Sequence, residues 1–363
     1  MNRILVVAGG TGGHIVPGLA LAASIIERGG SVEFLSIERN REYPGLSGGA
    51  FPVHFYDAPP FPSGPLALFG FVWKLWRAVR RARHLFQERD VQALVVMGGY
   101  PGFPALLAAR ISGRPFFLCE QNAVAGRVTR LFAKRARVVF LNLPLAQDLP
   151  GATLEHTGNP LRPALLAAAN QVRESQSRGA PCVLVLGGSQ GAVQLNEIVL
   201  GLVPELEARG VRLLWQCGER NLDSVSGRLP AGLKNSVELF GYRAGIESLF
   251  LEADVLFARA GAGVISEGLV FGLPMLLVPY PFAADNHQKA NARILAEAGA
   301  AVVIDQRDND PAATRRELLS LLDDPERRAR MAASARRLAR PEAAAVIAER
   351  VLENLRGAGQ PGQ

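Results

Sequence analysis

Short apolar runs alternate with helical patterns along the first part of the chain. The first run, residues 4–7, leads into glycines and a helical pattern that stops at Gly29 and Gly30, and a second run covers residues 31–37. Three further runs follow, at residues 93–97, 115–119 and 138–141. Strands that are apolar on both faces and alternate with helices are typical of a parallel sheet covered on both sides. This part of the chain therefore predicts a doubly wound α/β domain.

The same pattern starts again at residue 182. A run at residues 182–186 leads into a second glycine loop and a helix, and further runs follow at residues 212–216, 237–240, 255–258, 275–278 and 301–304. The two strand–glycine loop–helix openings predict two similar Rossmann-like domains that face each other across a cleft. We expect the first domain at residues 1–160 and the second at residues 161–340. Residues 341–363 are expected to form a helix that packs back on the first domain, followed by a frayed tail.

Length and composition narrow the class of protein. The 363 residues correspond to about two domains, and the 48% apolar and 20% charged content is that of a globular chain. Three cysteines (Cys119, Cys182 and Cys217) are too widely spaced for a disulfide framework or a CxxC zinc site. No apolar run approaches the ~20 residues of a membrane-spanning helix, and the first residues lack the core of a signal peptide. We therefore expect a protein that neither spans a membrane nor is secreted.

Positive charge is concentrated in one window of the first domain. Residues 68–137 contain thirteen basic and only three acidic residues. Within this window, residues 66–86 are apolar nearly all round a helix in the first half and basic in the second, which suits a helix lying in an anionic headgroup layer. The alternative is a core helix with a solvated basic face. No nucleic-acid-binding module is recognised, so we expect no nucleic-acid partner. The expected membrane contacts are Phe69, Trp73, Trp76, Arg77, Arg80 and Arg81.

The two glycine loops predict phosphate binding. A strand that ends in glycines and opens a helix presents free backbone N–H groups at the positive end of the helix dipole. The dinucleotide fingerprint GxGxxG fails because Ile15 occupies the third glycine position, and the Walker sequence GxxxxGK[ST] is absent. One such loop in each domain favours a ligand that carries a diphosphate. The alternative is that the glycines only allow close packing of helix and strand.

Seven motifs follow one another along the chain. They are GGTGGHIVPG at residues 9–18, MGGY at 97–100, EQN at 120–122, GNP with Arg162 at 158–162, GGSQGA at 187–192, RAGA with Ser266 and Glu267 at 259–267, and DNHQKAN at 285–291. In this order and spacing they resemble the MurG family, the UDP-N-acetylglucosamine–N-acetylmuramyl-(pentapeptide) pyrophosphoryl-undecaprenol N-acetylglucosamine transferases. The resemblance covers nearly the whole chain.

The resemblance implies a fold, a reaction and a location. The fold is GT-B, with the acceptor bound by the first domain and UDP-GlcNAc by the second. The reaction is an inverting transfer of GlcNAc to the C4 hydroxyl of MurNAc in undecaprenyl-pyrophosphoryl-MurNAc-pentapeptide, which converts lipid I to lipid II in peptidoglycan synthesis. The location is peripheral, on the cytoplasmic side of the cell membrane. The family's chemistry is metal-independent, so no cofactor is expected.

The resemblance also implies the donor contacts. Among them, Glu267 suits a ribose diol because a carboxylate accepts two hydroxyl hydrogen bonds, and Gln288 suits sugar hydroxyls. Each has a plain alternative as a solvated side chain on a helix. Arg243 is expected to act through its backbone. The implied donor contacts are Thr11, Gly12, Gly13, Asn122, Arg162, Ser189, Arg243, Ala262, Gly263, Val264, Ile265, Ser266, Glu267 and Gln288.

The acceptor hydroxyl needs a general base. His14, at the entry of the first helix, is the first candidate for the base or for an acceptor contact; its alternative role is a hydrogen bond to the loop backbone. Glu120 is the second candidate because it follows a strand at the edge of the sheet where α/β sites lie. Tyr100 is expected to contact the acceptor.

No metal cluster is evident, since the five histidines are scattered. Asp308 and Asp310 match a DxD pattern, but Asp310 precedes Pro311 and therefore predicts a helix N-cap.

The chain departs from the family pattern at four places. Cys119 stands where the family has histidine before EQN, and Ala258 replaces a frequent serine or cysteine. Residues 38–46 lack the usual Arg-Gly-x-Glu, and residues 61–68 lack a glycine-basic loop. Because the last two segments lie in the acceptor domain, two alternatives stay open. One is a related transferase with another lipid acceptor, such as diacylglycerol, and the other is a non-catalytic protein that binds nucleotide sugars.

Overall fold

The chain folds into two compact units. The structure, a computed structural model, describes residues 2–46, 49–60, 65–171, 179–188, 191–230, 232–233, 236–305 and 311–357. Unit 1 comprises Met1–Arg162 together with Arg340–Gln363, and unit 2 comprises Pro163–Ala339. The sequence placed these boundaries at residues 160 and 340.

Unit 1 is built on seven parallel strands in the order β3-β2-β1-β4-β5-β6-β7. Its first elements are β1 (Arg3–Val7), α1 (Gly12–Glu27), β2 (Ser31–Ile37), β3 (Val53–Tyr56), α2 (Pro65–Glu88), β4 (Ala93–Val96), α3 (Gly102–Ile111), β5 (Phe116–Glu120), α4 (Arg127–Phe132), β6 (Val139–Leu141) and β7 (Leu154–His156). β3 and β7 were not predicted. Both are edge strands whose residues are mostly half-buried or exposed, so neither has the apolar run that marks a strand buried on both faces.

Unit 2 is built on six parallel strands in the order β10-β9-β8-β11-β12-β13. Its elements are α5 (Pro163–Ala169), β8 (Cys182–Leu186), α6 (Val193–Ala208), β9 (Arg212–Gln216), α7 (Leu222–Ser226), β10 (Val237–Phe240), α8 (Glu247–Glu252), β11 (Val255–Ala258), α9 (Ala262–Phe271), β12 (Met275–Leu277), α10 (His287–Glu297), β13 (Ala301–Val303), α11 (Pro311–Asp323) and α12 (Pro325–Leu338). Each unit is thus a parallel α/β domain, which confirms the predicted fold class.

The last helix, α13 (Ala343–Gly357), belongs to unit 1. Its buried side chains Ile347 and Val351 join Leu21 and Ile25 of α1 on one face of the sheet. On the other face, α2 and α3 cover the sheet with side chains such as Leu85, Phe86 and Leu106. α2 covers the sheet only with its second half. Among the described residues, no helix has the length and apolar character needed to cross a membrane.

The strand order reverses next to the first strand of each sheet. β1 pairs with β2 on one side and β4 on the other, and β8 pairs in the same way with β9 and β11. In open parallel sheets, ligands bind beyond the carboxyl ends of the strands at such a reversal, because the loops on its two sides diverge and leave a crevice. In unit 1 these loops hold residues 8–11 and 97–101. In unit 2 they hold residues 187–192 and 259–261.

Candidate active site

The glycine loop of unit 1 is held by the turn that follows β2. The Gly10 N–H donates to Asn40 Oδ1 (2.9 Å), and the Arg39 guanidinium donates to the Gly10 carbonyl (2.8 Å). The Tyr43 hydroxyl lies against the start of α1, since a Cβ added at Gly12 would lie 2.6 Å from it. The segment at residues 38–46 therefore holds the glycine loop through Arg39, Asn40 and Tyr43.

His14 lies in the first turn of α1 and packs against the glycine pair that follows β4. Gly98 and Gly99 both have positive φ, and a Cβ on Gly99 would lie 3.3 Å from the His14 ring. Both backbone conformation and space therefore require glycine at these positions. His14 Nδ1 lies 3.3 Å from the Thr11 hydroxyl oxygen. If Nδ1–H donates to this oxygen, Nε2 carries the lone pair that a general base needs.

Glu120 is buried and faces its own loop. Its carboxylate accepts hydrogen bonds from the N–H groups of Asn122 (3.2 Å) and Gly126 (2.9 Å) and from the Thr129 hydroxyl (2.7 Å). Burial raises the pKa of Glu120, and these hydrogen bonds oppose the increase. The carboxylate thus holds residues 121–126 at the entry of α4. These contacts favour His14 over Glu120 as the base.

Other predicted residues of unit 1 lie at the same edge of the sheet. Tyr100 follows the glycine pair, and the Arg39 guanidinium lies 5.7 Å from its ring. Asn122 is half-buried in the loop that Glu120 holds, and Arg162 is half-buried at the end of the unit. Arg39 and Tyr43 were missed in the sequence analysis. The signal that points to them is their position just after β2, whose carboxyl end is at the edge where the glycine loop begins.

The glycine loop of unit 2 is also held tightly at its ends. Gly191 has positive φ, and a Cβ there would collide with the Cys217 carbonyl oxygen and the Asn221 side chain. That carbonyl accepts hydrogen bonds from the amides of Asn196 and Asn221, both at 3.0 Å. Ser189, a predicted donor contact, lies outside the described residues.

The start of α9 is open in unit 2. A Cβ added at Gly261 or Gly263 would meet no atom of the chain within 4 Å, and neither glycine has a positive φ. Packing within unit 2 therefore does not require glycine at these two positions, whereas close approach of a ligand to the helix N-terminus would. The N-cap residue, Gly261, also has no side chain to bind the first N–H groups of the helix.

The remaining predicted residues of α9 differ in exposure. Ile265 is fully buried, and the buried Ser266 hydroxyl donates to the Ala262 carbonyl (2.9 Å), so both side chains are directed to the protein interior. Ala262, Val264 and Glu267 are half-buried. Of the polar side chains predicted on α9, Glu267 is the one with a partly exposed surface.

The loop after β12 is bound to the end of β11 by polar contacts. The buried Arg259 guanidinium donates to the Val278 carbonyl (3.1 Å), and burial lowers the pKa of Arg259 to about 10. Gln288 Oε1 accepts from the Tyr280 N–H (2.9 Å), and Asn291 donates to the Ala260 carbonyl (3.1 Å). Gln288 is therefore fixed at this edge of the sheet by its amide oxygen.

Backbone strain occurs in the same loop. Asp285 and Asn286 have φ values of 50° and 54°, the left-handed region that non-glycine residues rarely adopt. Such residues cost of order 1–3 kcal/mol each and cluster at functional sites. They lie just before α10, whose first turn holds Gln288.

Arg243, another predicted donor contact, follows β10. Its side chain forms an ion pair with Glu238.

Comparison with known proteins identifies the family. The glycosyltransferase family 28 N-terminal domain matches residues 4–141, and the family 28 C-terminal domain matches residues 182–351. A curated protein from Idiomarina loihiensis, named UDP-N-acetylglucosamine–N-acetylmuramyl-(pentapeptide) pyrophosphoryl-undecaprenol N-acetylglucosamine transferase, is 38% identical over 97% of this chain and 98% of its own length. A protein of the same name from Nitratidesulfovibrio vulgaris is 37% identical over the full length of both chains. The chain belongs to the MurG family.

Solved structures agree with this assignment. The crystal structure of Acinetobacter baumannii MurG superimposes with a TM-score of 0.77 and 27% identity, over 97% of this chain and 100% of that one. The calicheamicin glycosyltransferase CalG4 superimposes with a TM-score of 0.71 at 17% identity, which shows the shared GT-B fold alone. The resemblance drawn from the seven motifs is thereby confirmed.

Two further observations concern the chemistry of the described residues. Cys119 is buried, and burial raises the pKa of its thiol, which stays protonated in the core. Within the part of the chain that the structure describes, no three His, Cys, Asp or Glu side chains are grouped to hold a metal ion. The Asp308–Asp310 segment lies outside that part.

We predict that Glu120→Gln destabilises unit 1. An amide has one acceptor oxygen in place of two, and its NH₂ group faces N–H and O–H donors, so the free energy of unfolding should fall by about 1–3 kcal/mol. Because the folded-state pKa of Glu120 is raised, wild-type stability declines as pH rises through that value, and the variant lacks this decline. The difference in unfolding free energy between wild type and Glu120→Gln should therefore decrease as the pH rises. Urea unfolding followed by circular dichroism measures this difference.

The control for this prediction is Glu27→Gln, whose carboxylate is mostly exposed on α1. Its unfolding free energy should stay within about 0.5 kcal/mol of wild type. The absence of a difference in unfolding free energy between wild type and Glu120→Gln would contradict the structural role of this carboxylate. A difference that widens with pH would contradict the raised pKa of Glu120.

Proposed function

We propose that this protein transfers GlcNAc from UDP-GlcNAc to the C4 hydroxyl of MurNAc in undecaprenyl-pyrophosphoryl-MurNAc-pentapeptide, the lipid I to lipid II step of peptidoglycan synthesis. The observation that carries the proposal is the open N-terminus of α9. Gly261 and Gly263 leave its backbone accessible, although packing within the chain does not require glycine at either position. It lies at the strand-order reversal of a chain that matches transferases of this name over nearly its full length.

Unit 2 binds the donor in this proposal. The first N–H groups of α9 bind the diphosphate, since Gly261 and Gly263 leave the positive end of the helix dipole open. Glu267, with its partly exposed carboxylate, accepts hydrogen bonds from the ribose hydroxyls. Gln288, held at Oε1 by Tyr280, directs its NH₂ group to the sugar.

The reaction is a single displacement. His14 Nε2 takes the proton of the acceptor C4 hydroxyl as the oxygen attacks the anomeric carbon of GlcNAc. The bond from that carbon to the diphosphate oxygen breaks, the configuration inverts, and UDP leaves with the electron pair. Amide groups at the helix N-terminus stabilise the charge that develops on the diphosphate. The proposed mechanism uses no cofactor.

An acceptor panel tests the proposed function. Purified protein receives labelled UDP-GlcNAc with a short-chain analogue of the MurNAc-pentapeptide pyrophosphoryl lipid, with diacylglycerol, or with no acceptor. We expect label transfer to the MurNAc lipid alone.

His14→Gln should lower kcat by about 10²–10⁴-fold because it removes the base, while UDP-GlcNAc affinity changes little.

The matched control is His84→Gln, an exposed histidine on α2, which should keep full activity with the short-chain analogue. Transfer to diacylglycerol would instead identify a related transferase with another acceptor. UDP-GlcNAc binding without transfer to either lipid would identify a non-catalytic binding protein.

We further propose that unit 1 binds the cytoplasmic face of the cell membrane through α2. Ala78, Ala82 and Phe86 pack into the core, so the core-helix alternative describes the second half of this helix. The first half is exposed, with Phe69 85% and Trp73 55% accessible. These residues line an open apolar recess of about 460 Å³ formed by Leu68, Phe69, Val72, Trp73 and Trp76.

Basic side chains lie next to this apolar surface. The Arg77 guanidinium lies 4.7 Å from the Trp73 ring and that of Arg80 lies 5.5 Å from the Trp76 ring, while Arg81 is exposed. Exposed aromatic anchors beside arginines match the boundary between acyl chains and anionic headgroups. Further along α2, Val79 and Phe86 pack against the core.

We predict that Trp73→Ser with Trp76→Ser weakens binding to anionic vesicles by at least about tenfold, because each serine removes a large apolar surface from the interface. Sedimentation with phosphatidylglycerol vesicles measures the binding, and UDP-GlcNAc affinity should be unchanged. Val346→Ser, at an exposed apolar position of α13, serves as the control and should bind vesicles like wild type. Equal vesicle binding by the double variant would refute the membrane surface.

A further inference from the structure

Gln121 is a buried polar side chain that the proposed mechanism does not use. It follows Glu120 at the carboxyl end of β5 and is 4% exposed. Within the part of the chain that the structure describes, neither its amide oxygen nor its amide nitrogen has a hydrogen-bond partner. Buried polar groups are nearly always paired, so an unpaired carboxamide at a substrate-binding edge calls for a functional reason.

The Gln121 amide lies across a small gap from His14. A Cβ added at Gly98 would lie 3.3 Å from Gln121 Oε1 and 3.5 Å from Cδ2 of His14. The amide oxygen and the imidazole edge therefore lie close to the same point, which the glycine at position 98 leaves without a side chain.

The position of His14 in α1 explains why a nearby amide oxygen would affect its charge. His14 lies in the first turn of α1, where the helix dipole disfavours a positive charge. A base at that place becomes an imidazolium when it takes a proton, so it needs negative partial charge nearby. The Thr11 hydroxyl oxygen lies at Nδ1, and the Gln121 carbonyl oxygen faces the Cδ2 edge. Because Gln121 is buried, water screens its dipole weakly.

We propose that Gln121 is a positioning residue for His14, whose amide oxygen stabilises the protonated imidazole across the space left by Gly98. The inference rests on the proposed function of His14 as the base. It also explains why the amide has no other partner: a hydrogen bond to the surrounding backbone would draw the oxygen away from the imidazole. The proton itself passes from the acceptor hydroxyl to His14 Nε2 and not to Gln121.

Other charged or titratable groups near His14 stay the same when Gln121 is changed. Glu120 faces residues 122–129, and Arg39 is bound to the Gly10 carbonyl. Among the described residues, the titratable groups on the neighbouring loops and strand ends include Arg39, Tyr43, Tyr100, Cys119 and Glu120. A change in His14 titration on substitution of Gln121 alone is therefore assigned to the amide.

The test compares Gln121→Met, which keeps the length and burial of the side chain without its dipole, with Gln121→Glu. The titration midpoint of His14 is read by NMR in the full-length protein. Loss of the amide oxygen disfavours the imidazolium, so Gln121→Met should lower the midpoint by about half a unit, and a carboxylate should raise it. Since the base acts unprotonated, the acid limb of kcat/KM should move to lower pH in Gln121→Met and to higher pH in Gln121→Glu.

Gln92→Met provides the matched control, because Gln92 lies before β4 at the opposite edge of the same sheet. It should leave both the midpoint and the profile unchanged. A folded Gln121→Met protein with the wild-type midpoint would overturn the inference. Shifted midpoints in a protein that transfers no GlcNAc would support the Gln121–His14 pair and refute the proposed function, so the two failures are distinguishable.

Discussion

The reversal of strand order in a parallel sheet is the constraint on which the rest of this structure depends. All strands of a sheet end at one edge, and only at the reversal do the loops on its two sides run apart. In unit 1 this brings the start of α1 beside the glycine pair after β4, and in unit 2 it brings the glycine loop after β8 beside the start of α9. The helix N-termini supply unpaired N–H groups at the same places. In each unit the topology therefore leaves a crevice, open to a ligand, at this edge of the sheet.

The side chains at these edges act mainly on the backbone. Glu120 holds the loop before α4, Arg39 and Asn40 hold the loop before α1, and Arg259 and Gln288 hold the loop after β12. Each contact ties the backbone of a loop to a side chain of the same unit. Asp285 and Asn286, with positive φ, lie in the loop that follows β12. Many of the polar side chains at these edges thus position loop backbone.

The sequence predicted the strands inside both sheets, because each is a continuous apolar run. It also predicted that the motifs lie at the carboxyl edges of the sheets, because the glycine loops directly follow such runs. It missed β3 and β7, whose residues are partly exposed at the edges and carry no such run. The sequence offered Glu120 as a candidate base at the edge of the sheet. It could not show that the carboxylate binds Gly126 and Thr129, because these loop and helix residues form no recognisable motif. It left open whether α2 lies in a membrane surface or packs in the core, because an exposed tryptophan and a buried phenylalanine are both apolar positions in a sequence pattern.

In the proposed mechanism the donor binds at the carboxyl edge of the sheet in unit 2. Amide hydrogen exchange of the full-length chain, with and without UDP-GlcNAc at about a hundred times its Kd, tests this binding site most directly. We expect the strongest slowing, of order a hundredfold where exchange requires ligand release, at residues 261–264 and in the loops at 187–188 and 283–288. Binding confirmed by calorimetry without slowing at the start of α9 would contradict it.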